Sequence, residues 1–117
     1  MSMLSTVKTA LNSGSVIIVA ADKSASGIVK VLAIYMDKDK KCYSKEVVSK
    51  EKTIKYIEGK IDFFTIDSET EELTPVSVVS RHREKYLRTD ADEESEDNLG
   101  ELPSVLLMET IIDLHIQ

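Results

Sequence analysis

A chain of 117 residues, 42% hydrophobic and 31% charged, is one ordinary domain's worth of sequence and leaves no room for a second independent core. Its single cysteine, Cys42, excludes an internal disulfide framework, and no apolar run is longer than Val16 to Ala21, which is far too short to span a bilayer. The formal charge of −6 hides a division: residues 1–60 carry 11 lysines against 6 carboxylates, whereas residues 61–117 carry 4 cations against 15 carboxylates.

Taken along the chain, residues 2–13 suit a short helix, with Ser5 as its cap, Val7 and Leu11 one turn apart, and Asn12 and Gly14 to end it. Val16 to Ala21 (VIIVAA) is short, β-branched and bounded by polar turns, which reads as a buried strand. Gly27 opens a second strand, IVKVLAIYM, apolar on both alternating faces except at Lys30 and therefore expected inside the sheet. A polar turn at 37–41 reverses the chain into a third strand, Cys42 to Val48, completing a meander.

Ser49 is a good cap for a helix over 50–58, with Ile54 and Ile57 on one face and Gly59 as the natural left-handed residue beyond its end. Asp62 to Asp67 and Thr74 to Ser80 read as strands, with Pro75 at a strand start or edge because it lacks an N–H. Lys85 to Thr89 is extended, and 90–101 is a loop carrying 7 carboxylates. For the tail, Ser104 offers a helix cap with Val105, Met108 and Ile112 on one face, but the alternation over Thr110 to Ile116 favours a strand. The expected fold is α+β: a single antiparallel sheet, a meander, with one main helix packed on it.

Tyr86, Leu87, Arg88, Thr89 and Asp92, followed by Asp97, Asn98, Leu99, Leu102 and Pro103, form an ordered signature that resembles the end of domain-of-unknown-function family 3892, a group of small bacterial and phage-associated proteins. The resemblance covers about residues 15–103 and implies a hairpin, a helix ending at Gly59 and an extended pair before the signature. It leaves 1–14 and 104–117 as additions to a single domain over 1–117. Glu93 departs from the glycine that usually follows the motif's aspartate. The family carries no established activity. Physically, the signature reads as a lock in which Leu87, Leu99 and Leu102 enter the core and Arg88 braces the loop through a carboxylate.

Candidate sites follow from the charges. Asp90, Asp92, Glu93, Glu94, Glu96 and Asp97 form an acidic surface suited to a protein partner. Arg81, Arg83, Lys85, Arg88 and Asn98 form an alternative anion-binding set, against which stands neutralisation by the carboxylates that follow. Asp90, Asp92, Glu94 and Glu101 match four positions of an EF-hand register, but Ser95 stands where the turn needs Gly, so no metal is assigned. Cys42 reads as a semi-buried strand residue, and neither His82 nor His115 has a motif partner, so no catalytic residue and no cofactor are assigned.

The N-terminal residues lack the apolar stretch of a secretory leader, so a cytoplasmic protein without membrane association is expected. An acidic balance disfavours generic nucleic-acid binding. These readings favour a non-enzymatic binding or accessory protein acting through protein contacts, one variant being a phage or mobile-element inhibitor whose carboxylates imitate a phosphate backbone before a host defence nuclease. A small-molecule or nucleotide binder and a subunit that self-associates through a sheet edge or the tail are the alternatives.

Overall fold

The computed structural model describes residues 5–25, 27–39, 41–66, 72–89, 99 and 102–115. Helix α1 (Ser5–Asn12) precedes strands β1 (Val16–Ser24), β2 (Gly27–Asp37) and β3 (Cys42–Ser49), then helix α2 (Lys50–Glu58). Strands β4 (Phe63–Ile66), β5 (Leu73–Pro75), β6 (Ser77–Arg81) and β7 (Glu84–Arg88) follow, and helix α3 (Val105–His115) comes last.

The first three strands form the expected antiparallel meander, with β2 between β1 and β3. A wholly antiparallel sheet is not what the rest of the chain builds. The helix carries the chain back across the sheet, so β4 returns beside β1 in parallel, with Val16 opposite Phe63, as a crossover connection requires. The result is a mixed five-stranded sheet of order β3-β2-β1-β4-β5, accompanied by a separate two-stranded sheet, β6-β7.

The stretch read as one strand over 74–80 divides at Val76. Pro75 ends the edge strand β5 opposite Phe64, where its missing N–H costs no ladder bond. The Val76 N–H then bonds the Phe63 carbonyl at 2.8 Å while its side chain enters the core. From Ser77 the chain leaves the sheet to form the hairpin.

Strand alternation gives the sheet two apolar faces. On one, Ile18, Val31, Ala33, Val48 and Phe63 pack with Ile54 of α2, Val76, Leu87 of the hairpin and Leu99. On the other, Ile17, Ala20, Leu32 and Ile34 pack with Val7 and Leu11 of α1 and Val105 of α3. A bulge between Ile18 and Ala20 keeps both sets aimed correctly despite one extra residue in β1.

The helix over 50–58 forms as expected, with the Ser49 hydroxyl accepting the Lys52 N–H. Its end differs: Gly59 has φ −81° and Lys60 takes the left-handed conformation at φ 74°. The Lys60 N–H bonds the Ile57 carbonyl and the Ile61 N–H the Tyr56 carbonyl, so a lysine fills the place glycine usually takes in this helix stop. In α1 the same stop carries Gly14, at φ 97°, as expected.

The tail is a helix rather than a strand. Ser104 caps it through the Leu107 N–H, and Asp22 of β1 accepts the Val105 N–H at 3.0 Å. The Ala21 N–H to Pro103 carbonyl bond, 3.1 Å, fixes the approach. These bonds satisfy the first orphan amides of a helix, and Val105 and Met108, three residues apart, then meet the sheet.

Candidate functional site

Beside the C-terminal end of α2 the sheet opens into a cleft of about 340 Å³. Alternation along β2 places Ala33 on this face between Val31 and Tyr35, and the small side chain leaves a depression that Val16, Val48, Phe63 and Ile61 wall with apolar surface. Tyr56 of α2 stacks on Phe63, with ring centroids 6.3 Å apart and planes at 15°, so the wall is a fixed aromatic pair. The β2-β3 register puts Glu46 opposite Ala33, which sets a carboxylate on the rim beside Tyr35 and Lys38.

The charges at the rim are tied into their surroundings. Lys52 lies 4.0 Å from the Glu46 carboxylate and 6.0 Å from the Tyr56 ring centroid. Desolvation first, then the carboxylates of Glu46 and Asp37, raise the Tyr35 phenol above its ordinary pKa of 10.0, against a hydrogen bond with Ser44. Tyr35 is therefore a neutral hydroxyl at physiological pH, able to donate or accept at the mouth of an apolar hollow. Such an arrangement suits holding an apolar group with a polar edge.

Among the described residues, the members of the anion-binding set lie apart along the hairpin. Arg81 and Arg83 stand exposed at the β6-β7 turn, and Lys85 is held by Glu58 of α2 at 2.6 Å. Arg88 lies at the other end of β7, roughly 16 Å from Arg83 at the rise of an extended strand, and only 1% of it is exposed. It is a core cation with an interaction inside the fold, and the loop carboxylates expected to pair with it lie outside the described residues. Leu87, Leu99 and Leu102 enter or flank the core as the lock reading expects.

Asp90, Asp92, Glu93, Glu94, Glu96, Asp97, Asn98 and Glu101 lie outside the described residues, and with them the acidic surface and the EF-hand register. Cys42 is exposed rather than semi-buried, because the face of β3 it shares with Glu46 is uncovered at that end. His82 is exposed in the hairpin turn, and the side chain of His115 is outside the described set.

Sequence reasoning missed the cleft because five separate segments supply its walls. Part of the signal was present: the turn at 37–41 fixes the β2-β3 register and hence the meeting of Tyr35, Ser44 and Glu46.

The family described as protein of unknown function DUF3892 matches residues 16–103. The chain belongs to this family. The DUF3892 match starts at the first residue of β1 and stops one residue before the Ser104 cap, so α1 and α3 lie outside it, whereas the cleft walls from Val16 to Phe63 and the whole hairpin lie inside. No curated protein and no solved structure matches the chain. Among the described residues no helix is long and apolar enough to cross a membrane.

Proposed function

We propose that this protein is a non-enzymatic binding module that receives an extended segment of a protein partner along β3 and holds one apolar or aromatic side chain of it in the adjoining cleft. The observation that carries the reading is the position of the cleft: Glu46 and Val48 of β3 form one of its walls, and β3 is the outermost strand of the five-stranded sheet. An edge strand presents a row of backbone donors and acceptors to a partner chain, and a pocket at alternate side-chain spacing supplies selectivity. A hollow of this volume is large enough for one large side chain and sits at the small end for a free metabolite.

The test is an NMR titration of the isotope-labelled full chain with peptides carrying one Trp, Phe or Leu. Shifts are expected at Ala33, Tyr35, Val48 and Phe63 and along β3, and Tyr56→Ala should weaken binding about tenfold by removing one aromatic anchor. Methylating the peptide backbone nitrogens should abolish the β3 shifts. If free indole or phenol binds as tightly as any peptide, a small-molecule site is the better reading. If neither class perturbs the cleft, the proposal fails.

A further inference from the structure

The chain is acidic, yet two elements that pack on each other are not. On and just beyond α2 stand Lys50, Lys52, Lys55 and Lys60, and the hairpin adds Arg81, Arg83 and Lys85. Against these seven cations the same elements carry Glu51, Glu58 and Glu84, and β3 adds Glu46 beside Lys52. Glu58 pairs with Lys85 at 2.6 Å and Glu46 with Lys52 at 4.0 Å, and Glu84 accepts the Tyr86 hydroxyl at 2.7 Å. α2 packs against both strands of the hairpin, which brings Lys50 over the Tyr86 ring and Lys85 onto Glu58 at their junction.

The tip of the hairpin adds an independent observation. With Arg81 paired to Glu84, the turn residues are His82 and Arg83, at φ 53° and 69°. Two consecutive left-handed residues define the tight hairpin turn that Asn-Gly fills without strain, and a histidine and an arginine there cost backbone energy. What they provide in return is a guanidinium and an imidazole at the extreme end of a narrow ribbon. Behind the tip, Lys50 lies 5.3 Å from the centroid of the half-buried Tyr86 ring, a cation set against an aromatic face.

We propose that α2 and the β6-β7 hairpin form a nucleic-acid-binding face, with the Arg81-His82-Arg83 tip seated against the phosphodiester backbone of a duplex and the α2 lysines along the adjoining phosphates. A two-stranded ribbon is of a width the major groove of about 12 Å admits. The overall negative charge does not forbid it, because fields between exposed charges are screened beyond about 8 Å at physiological salt. The aromatic ring beside the cations and the ribbon shape favour nucleic acid over an acidic peptide.

The experiment is fluorescence anisotropy of the full chain with labelled 20-base-pair duplex DNA, duplex RNA, a single strand, and poly-glutamate as the acidic-protein control. Duplex binding is expected in the micromolar range, with a log–log salt slope of about −3. Arg81→Ala with Arg83→Ala should weaken it at least tenfold and remove about two from that slope. A second variant, His82→Asn with Arg83→Gly, relaxes the turn: it should raise the melting temperature while weakening duplex binding. Absence of binding at 50 mM salt, binding indifferent to both variants, or tighter binding of poly-glutamate than of duplex overturns the proposal.

Discussion

The two faces of the five-stranded sheet are covered from different parts of the chain. One face takes α2, the hairpin, Leu99 and Leu102, all within the family match; the other takes α1 and α3, both outside it. Yet the second face is no less apolar. Ile17, Leu32 and Ile34 on it are buried, and Leu11 of α1 is fully excluded from solvent. An uncovered apolar face of that extent is a site of association, so the flanking segments complete the core. Among the described residues the most exposed large apolar side chains belong to α3, Leu106 at 78% and Leu107 at 56% exposure.

The largest effect expected on the family-matched side comes from Arg88→Ala. Truncating this 1%-exposed side chain empties its place in the core and takes away the interaction it makes inside the fold, at a cost of about 3–5 kcal/mol by urea denaturation. The matching test on the other face is Leu11→Ala. If α1 belongs to the cooperative core, it should cost about 2–4 kcal/mol in the same assay, whereas a loosely attached decoration would cost under about 0.5 kcal/mol. Asp22→Ala removes the acceptor that holds the Val105 amide and should cost about 1 kcal/mol, with faster hydrogen exchange confined to the first turn of α3.

Two smaller effects sharpen the picture on the cleft side. Lys60→Gly relieves a left-handed lysine at the end of α2 and should stabilise the fold by about 1 kcal/mol, read as a rise in melting temperature. For Tyr35 the sign follows from its raised phenol pKa. A group whose pKa is higher when folded contributes stability below its ordinary value of 10.0 and loses it as the pH climbs through the folded value. Stability should therefore fall more steeply above pH 10 in the wild type than in Tyr35→Phe, measured by denaturation across that range.

The elements legible from sequence are those whose signals are local. Ser49 and the apolar pair Ile54 and Ile57 sufficed for α2, and the polar turn at 37–41 sufficed for the return of β3. What escaped depended on distant partners. The choice of β1 as the neighbour of β4 is made by where α2 delivers the chain, which periodicity does not encode. For the tail, alternation over 110–116 competed with the Ser104 cap, and the bond that favours the helix comes from Asp22, 83 residues away. Arg88 was read as a brace, but its near-complete burial was not visible, because alternation from the buried Leu87 would have turned it outward.

The parallel pairing of β1 with β4 also sets an order in time. β1, β2 and β3 meet across turns of a few residues, whereas Val16 and Phe63 meet only after β2, β3 and α2 have been threaded between them. At the logarithmic cost of loop closure, that contact starts roughly 2 kcal/mol behind the hairpins. The meander should therefore gain amide protection first during refolding, with β4 and β5 docking later onto a preformed edge of β1. Until they dock, that inner edge of β1 is exposed, and the nascent chain passes through a state with two open sheet edges in which it is most prone to pair with another copy of itself.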